Sequence, residues 1–231
     1  MKLEYKISSG VTAFSTMRDE ELPFAVLQPH QVHDDRVVVV DRYDMTRADL
    51  EGVDALVCGL YGLAIGVRTA DCVPILMYDE TRQVVAAVHS GWRGTVKRIS
   101  QKTIKLMAHE FGTDAGGLKA VIGPSIGPAN FQVGEEVVGA FREAGFHDNG
   151  VISYKGEKVP GTMQGGWHID LWAANVLLLE EMGVKLENIY VSGICTYESN
   201  EQFYSARREG RKCGRIINAI SIERVRPRSD S

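Results

Sequence analysis

The sequence predicts a single domain of mixed α/β (α+β) class over residues 1–231, with helices covering the faces of a β-sheet. Five short runs rich in β-branched residues fall between residues 36 and 89, which predicts closely spaced strands. Three segments have the period of amphipathic helices. No repeat or linker divides the 231 residues, 44% of which are hydrophobic, so the chain is long enough to bury one core.

The predicted strands are short and follow one another closely, which favours largely antiparallel pairing. The five runs are RVVVVD at 36–41, DALVCG at 54–59, LAIGVR at 63–68, VPILMY at 73–78 and VVAAVH at 84–89. Further strands are predicted at 118–122, 189–192 and 215–222.

The turn DETR joins the fourth and fifth runs into a predicted hairpin. If Glu80 and Thr81 form its centre, Cys72 lies directly opposite His89, close enough to share a metal ion or one proton. This register also pairs apolar residues: Val73 with Val88, Ile75 with Ala86, Leu76 with Val85 and Met77 with Val84. We therefore expect both faces of the hairpin to be buried.

Three segments are predicted to be helical. Residues 95–111 carry an apolar stripe, and Thr95 is the expected N-cap. Residues 170–183 begin with Asp170 as a capping residue and end at a glycine. Residues 134–145 place acidic side chains in the first turn, where they favour the helix dipole.

The amino-acid composition limits the kinds of binding partner that this chain is expected to have. The net charge of −4 and a pI near 5.9 give no whole-chain signal for binding nucleic acid or an anionic membrane, so any anionic ligand must be bound by a local cluster of basic groups. The longest apolar run, residues 55–67, is well short of the roughly 20 residues of a spanning helix, and no secretory signal is evident. The expected location is cytoplasmic, where the four cysteines, which form no CxxC, would be reduced thiols.

Polar side chains gather where the two hairpin strands end. Arg68 and Asp71 lead into Cys72, and Arg93 follows His89 in the segment SGWRGT. The arginines and a glycine-flanked helix N-terminus suit a phosphate, while a cysteine beside a histidine suits a metal. The alternative is that Cys72 is a small core residue and His89 a hydrogen-bonded strand end.

A catalytic zinc typically needs a third protein ligand and an open position for water. The segment QPHQVHDD offers His30 and His33 as an HxxH pair just before a strand. The alternative is a solvated loop, in which Asp34 and Asp35 stabilise the histidines without a metal.

These motifs resemble those of the YfiH-like laccase-domain family, also described as multicopper polyphenol oxidases or purine nucleoside phosphorylases. The resemblance rests on TADCVPILMYDETRQVVAAVHSGWRGTV, on the upstream QVH and on the downstream VIGPSIGPANFQVGEEV, WHIDLWAAN and CTYESNEQFYSARREGRKCGR. It covers roughly residues 30–222 and implies a layered α-β-β-α sandwich.

The resemblance implies one Zn²⁺ bound by His33, Cys72 and His89. It also implies small-molecule substrates, through phosphorolysis of adenosine, inosine and S-methyl-5′-thioadenosine together with adenosine deamination. A zinc-activated water suits attack at C6 of adenine. We expect Arg68 and Arg93 to orient phosphate for attack at the ribose anomeric carbon.

Other side chains complete the expected site. Asp71 is a candidate catalytic residue that orients a ligand or moves a proton, and Tyr204, Arg207 and Arg208 are candidates to close the site, with a solvated surface position as the alternative. Ser125, in GPSIG, stands where the family commonly has a cysteine and keeps a hydroxyl donor for substrate.

The N-terminal segment TAFSTMRDEELPF lacks the glycines and the Asn-containing stretch usual in the family. Substrate contacts from that segment, including any from Arg18, are therefore not carried over from the resemblance.

Three alternatives to a zinc phosphorylase remain. A multicopper oxidase site needs about ten histidines and the chain has six, which disfavours copper and polyphenol oxidation. A metal-free cysteine hydrolase or amidase would use His89 to activate Cys72, for example on peptidoglycan precursors. The third alternative is a binding module without catalysis; the sequence allows a homodimer but does not set the oligomeric state.

Overall fold

The structure, a computed structural model, describes residues 2–147, 150–156 and 165–223. Its strands are β1 (Lys2–Tyr5), β2 (Val11–Thr16), β3 (Val37–Val40), β4 (Ala55–Cys58), β5 (Ile65–Thr69), β6 (Val73–Asp79), β7 (Val84–Ser90), β8 (Lys119–Ile122), β9 (Gln132–Val133), β10 (Ile152–Lys155), β11 (Gly166–Ile169), β12 (Ile189–Val191) and β13 (Ile216–Ile222). Its α-helices are α1 (Trp92–Val96), α2 (Ile99–Phe111), α3 (Glu135–Glu143), α4 (Leu171–Glu181) and α5 (Ala206–Glu209).

The strands form layers that confirm the predicted mixed α/β class. A six-stranded sheet has the order β12-β8-β6-β7-β4-β3, and a four-stranded sheet has the order β1-β2-β13-β5. The four-stranded sheet packs on one face of the larger sheet through β5 and β13, while α1 and α2 pack on the opposite face. A small sheet, β10-β11-β9, lies outside these layers.

Both faces of the central strands are buried, as the apolar runs predict. Alternate residues of β6 and β7, including Ile75 and Val88, join the core under the helices. The intervening residues, including Leu76 and Ala87, join a second core between the two sheets. Every residue of β6 and β7 is buried, so the hairpin that leads to Cys72 and His89 is held from both sides.

The predicted register of this hairpin is wrong by two positions. Pro74, not Cys72, lies opposite His89. The other observed pairs are Val73 with Ser90, Ile75 with Val88, Leu76 with Ala87, Met77 with Ala86, Tyr78 with Val85 and Asp79 with Val84. Because Cys72 is two residues from Pro74, it stays on the same face as His89, and the expected proximity survives as a diagonal one.

The turn itself causes this shift. Four residues, Glu80 to Gln83, connect the strands rather than a two-residue centre. The Asp79 carboxylate accepts the backbone N–H groups of Thr81 and Arg82 at 2.9 and 3.0 Å, and Gln83 has a left-handed φ of 52°. These local bonds favour the longer turn.

The helix predictions are confirmed for two segments and wrong for the third. Asp170 caps α4 by accepting the Ala173 N–H, and α3 begins after Gly134. The single helix predicted over 95–111 is instead α1 and α2, and Thr95 lies inside α1.

Arg98 separates α1 from α2 with a left-handed φ of 61°. Its guanidinium donates to Glu181 at 2.5 Å and to the Ala144 carbonyl at 2.9 Å, which ties the break to two other helical regions. These tertiary contacts are not visible in a local sequence pattern.

Strand pairing is only partly antiparallel. Strands β4, β7 and β6 pair antiparallel, whereas β3 pairs parallel with β4. The strand β5 leaves this block and joins the four-stranded sheet beside β13. The strands β1 and β2 and the three short strands of the small sheet were not predicted from the sequence. Of the helices in the described residues, none is both long and apolar enough to cross a membrane.

We expect Gly66→Ala to destabilise the fold. A Cβ on Gly66 would lie 2.8 Å from the Asn218 carbonyl oxygen and 2.8 Å from the Val26 Cγ1 atom. Overpacking of this kind typically costs about 1–3 kcal/mol of unfolding free energy. Gly139→Ala is the matched control, since nothing lies within 4 Å of its Cβ in α3. Urea unfolding should show a loss for the first and no loss for the second; equal stability would contradict this packing.

Candidate active site

Three side chains converge beside the hairpin ends. His33 lies in the loop before β3, Cys72 directly precedes β6, and His89 lies near the end of β7. Their ligand atoms all lie within 4.8 Å of one another. The His33 and His89 rings meet edge to face at 4.8 Å between centroids. His89 is buried and His33 is exposed, so the group is open on one side.

Asp54 holds this group together, although no motif in the sequence marks it as a site residue. Its fully buried carboxylate accepts the His89 Nδ1 hydrogen at 2.7 Å. The same carboxylate accepts three consecutive backbone N–H groups at 3.0–3.1 Å, from Val32, His33 and Asp34. One available signal was an acidic residue between apolar neighbours at the start of a buried strand, because a buried carboxylate needs donors.

The Asp54 carboxylate also fixes the backbone of the first loop. His33 has a left-handed φ of 61°, which an L-residue adopts only when its surroundings impose it. The three N–H groups wrapped around the carboxylate provide that constraint. As a result, the His33 ring is directed at Cys72 and His89.

The charges of Cys72 and His89 are coupled. Burial by itself raises the pKa of the Cys72 thiol, but the His89 charge and a His33 hydrogen bond lower that pKa to about 6. Burial by itself lowers the pKa of His89, but the Cys72 and Asp54 charges raise that pKa to about 9. At neutral pH the metal-free pair is therefore a thiolate beside an imidazolium.

The donor set fits a metal ion. One thiolate and two imidazoles are ligands that zinc prefers, with a fourth position left for a small molecule. Because Nδ1 of His89 is bonded to Asp54, its Nε2 atom is the nitrogen left for a metal. Gly91 allows the close approach: a Cβ there would lie 3.1 Å from the Cys72 Sγ and 3.6 Å from the His33 ring.

The group opens into a cleft of about 860 Å³ that is lined by arginines. The six arginines in its wall are Arg47, Arg68, Arg93, Arg207, Arg211 and Arg215. Asp71 is the one carboxylate residue among the lining residues. This local excess of positive charge contrasts with the chain's net charge of −4.

The structure brings four of the other sequence-predicted residues to this cleft: Arg68, Arg93, Arg207 and Asp71. The Arg93 guanidinium lies 4.3 Å from the centre of the Trp92 ring. Arg207 donates to the carbonyls of Asn130 at 3.3 Å and Gln132 at 3.0 Å, which holds its side chain against the wall.

Asp71 is engaged by the C-terminal part of the chain. Its carboxylate accepts the Thr196 hydroxyl at 2.7 Å and the Arg207 backbone N–H at 2.6 Å. Its carbonyl accepts the Ile126 N–H at 2.9 Å. Asp71 therefore links the residue before Cys72 to the segment that carries Arg207.

Ser125 and Tyr204 do not line the cleft. The buried Ser125 hydroxyl accepts the Trp172 indole N–H at 2.7 Å and donates to the Gly123 carbonyl. The Tyr204 hydroxyl donates to Asp19. Any contact of these two residues with substrate stays a prediction from the resemblance.

Arg18 and Arg208 also fix the C-terminal segment. Arg18 donates to the carbonyl of Asn200 and forms an ion pair with Glu209 at 2.8 Å. Arg208 donates to the Tyr197 carbonyl at 2.8 Å and, like Arg18, is not among the cleft-lining residues.

We expect Asp54→Asn to weaken the binding of a metal ion by about 10–100-fold, the usual effect of losing a carboxylate behind a ligand histidine. The amide that replaces the carboxylate has one oxygen, so it cannot accept hydrogen bonds from both the His89 ring and the backbone N–H groups of the loop as the two carboxylate oxygens do. Asp34→Asn is the matched control, because that exposed carboxylate pairs with Lys97 instead. Zinc titration against a chelator measures both, and equal affinity of the two variants would contradict the role of Asp54.

In metal-free protein we expect a thiol reagent to label Cys72 with a midpoint near pH 6, because the thiolate fraction rises with pH through the pKa. Cys213 provides an internal control in the same cleft, since burial, its largest perturbation, raises its pKa above the ordinary value. Mass spectrometry of the labelled protein at a series of pH values checks that Cys72 reacts at lower pH than Cys213. A midpoint for Cys72 near that of an ordinary thiol would contradict it.

Comparison with known proteins agrees with this fold. The chain is 40% identical over 210 residues to a purine nucleoside phosphorylase of Bacteroides thetaiotaomicron, covering 88% of this chain and 76% of that protein. It is 42% identical over 201 residues to adenosine deaminase RL5 of an unknown prokaryotic organism, covering 84% and 74%.

A crystal structure of YlmD from Geobacillus stearothermophilus has the same fold, with a TM-score of 0.79, 25% identity and coverage of 95% of this chain and 94% of that one. The family described as multi-copper polyphenol oxidoreductase laccase matches residues 13–223. The chain therefore belongs to this laccase-like family, the YfiH family that its motifs resemble.

Proposed function

We propose that this chain is a zinc-dependent purine nucleoside phosphorylase that acts on adenosine, inosine and S-methyl-5′-thioadenosine and also deaminates adenosine. The observation that carries the proposal is a Cys/His/His metal-binding group that opens directly into an arginine-lined cleft. Relatives named as a phosphorylase and as a deaminase support the same two reactions.

In phosphorolysis, the arginines hold the attacking phosphate. Arg68, Arg93 and Arg207 come from three different elements and line one cleft, so their guanidiniums can surround a single dianion. The phosphate attacks C1′ of the ribose as the bond to the purine breaks. The bound anion stabilises the positive charge that develops on the sugar in an oxocarbenium-like transition state.

Asp71 acts in this scheme as an orienting group. Its two carboxylate contacts fix the start of α5 and therefore the position of Arg207. Because the same residue precedes Cys72, it couples the phosphate-binding side of the cleft to the metal-binding side.

The proposed zinc ligands are His33, Cys72 and His89. When bound there, zinc supplies a Lewis acid that makes a water molecule acidic near neutral pH, which suits deamination at C6 of adenine. The Asp54 carboxylate keeps the His89 ring oriented and its Nδ1 protonated. The Cys72 thiolate needs no further deprotonation at neutral pH before a metal binds.

The cysteine hydrolase alternative keeps one observation in its favour. A thiolate on Cys72 beside a protonated His89 is the ion pair that cysteine nucleophiles use. Such an enzyme would be active without metal and would be inhibited by zinc. This opposite dependence on metal separates it from the phosphorylase.

Copper remains the disfavoured metal, and polyphenol oxidation the disfavoured reaction. His30 pairs with Glu51, His109 pairs with Glu110, and His168 bonds a backbone carbonyl in the small sheet. A multicopper centre would need several of these side chains near one another. One small group of three ligands is instead what the described residues offer.

The test measures base release from inosine and adenosine with and without phosphate, in zinc-loaded and chelator-treated protein. We expect phosphate-dependent release of hypoxanthine and phosphate-independent conversion of adenosine to inosine. Cys72→Ser and His33→Ala should lower both rates roughly 100-fold or more, because zinc typically supplies several kcal/mol of transition-state stabilisation.

His109→Ala is the matched control, since this exposed histidine lies on α2, outside the cleft lining. Turnover that persists without metal and requires only Cys72 would overturn the proposal in favour of the cysteine hydrolase. The absence of any turnover of inosine and adenosine by zinc-loaded protein would reject both the phosphorylase and the deaminase activity.

A further inference from the structure

The cleft holds more positive charge than the proposed reaction uses. Inorganic phosphate carries between about one and two negative charges near neutral pH, and three arginines are already assigned to it. The remaining arginines in the wall are Arg47, Arg211 and Arg215. Among the described residues that line the cleft, no acidic partner balances them, because the Asp71 carboxylate is already engaged by Thr196 and Arg207.

Arg47 is exposed and has no ion-pair or hydrogen-bond partner for its guanidinium among the described residues. Its acidic neighbours are paired elsewhere. Arg42 contacts all three of them, at 3.2–3.5 Å: Asp41, Asp44 and Asp49. The guanidinium of Arg47 is therefore available to bind a ligand in the cleft.

Arg215 is fixed by its own loop. Its guanidinium donates to the carbonyls of Cys213 at 2.5 Å, Gly214 at 2.8 Å and Arg211 at 2.9 Å. Backbone carbonyls orient a guanidinium but do not neutralise its charge. In the part of the chain that the structure describes, the Arg211 side chain has no partner of its own.

These charges act on one another. Burial and then the neighbouring charges of Arg47 and Arg215 lower the pKa of the Arg68 guanidinium. The three side chains thus lie close enough to repel, which is unfavourable for the free protein. A bound anion would remove this repulsion.

We propose that Arg47, Arg211 and Arg215 form a second anion subsite beside Arg68, which binds a phosphate carried by the substrate itself. Purine nucleoside 5′-phosphates are then cleaved as well, in preference to the nucleosides named in the proposed function. This inference rests on the proposed phosphorolysis. One continuous cleft of about 860 Å³ is within the usual size for a small-molecule site, so both anions can bind at once.

The reaction balances without a further reagent. The C1′–N9 bond breaks and its electron pair goes to the purine. An oxygen of hydrogen phosphate bonds to C1′, and the proton that this phosphate loses is the one the purine takes up. The products are a free purine and ribose 1,5-bisphosphate, whose 5′-phosphate is unchanged.

The test compares inosine 5′-monophosphate with inosine in zinc-loaded protein at fixed phosphate. We expect kcat/KM at least about tenfold higher for the nucleotide, the effect of about one charge-assisted hydrogen bond. The double variant Arg47→Gln/Arg211→Gln should lower the nucleotide-to-nucleoside ratio by at least about tenfold. Both side chains are exposed, so the fold should tolerate the change.

Lys105→Gln is the control, because it removes one exposed positive charge on α2 outside the cleft lining and should leave the ratio unchanged. If inosine is cleaved and the nucleotide is not preferred, the second subsite is wrong while the phosphorylase proposal stands. If neither is cleaved, the phosphorylase proposal fails, and calorimetry decides the subsite. The second subsite is supported if inosine 5′-monophosphate binds more tightly than inosine and the double variant abolishes this difference. It is overturned if the two ligands bind equally.

Discussion

The buried carboxylate of Asp54 is the constraint on which the site depends. An ionised carboxylate in the interior costs several kcal/mol unless donors surround it, and here the donors are three backbone amides and the His89 imidazole. Satisfying that one charge bends the loop before β3 into a left-handed turn at His33 and orients His89 at the end of β7. Asp54 thereby orients both His33 and His89, which are far apart in sequence, toward Cys72.

The second organising feature is the separation of charge. Acidic side chains outnumber basic ones over the whole chain, yet the cleft collects arginines from the 3₁₀ turn at Arg47, from β5, from α1 and α5, and from the loop before β13. The exposed acids nearby are paired with other cations, as Asp41 is with Arg42. The resulting local field selects anionic ligands although the chain as a whole is acidic.

Much of the fold could be predicted because its signals are local. The apolar runs that became β3 to β8, and the capping residue Asp170, act through their nearest neighbours along the chain. The predicted hairpin register and the predicted single helix over 95–111 were wrong, because the observed register and the break between α1 and α2 depend on bonds that a sequence pattern does not show. The Asp79 carboxylate organises a four-residue turn, and Arg98 is held by distant helical residues. The N-terminal strands were missed because β2 pairs with β13 at the opposite end of the chain, and β1 joins the sheet only through β2.

The sequence by itself determined the residue types of the site and most of their spacing: a cysteine and a histidine at two strand ends, a histidine before a third strand, and arginines beside them. Its motifs also identified the family, which the comparison confirms. Only the tertiary structure decided that Asp54 links His33 to His89, that Ser125 and Tyr204 lie outside the cleft wall, and that six arginines share it. The physical reason is that the partners of a buried charge, and the clustering of like charges in a cleft, depend on contacts between segments far apart in the chain. No local sequence pattern encodes those contacts.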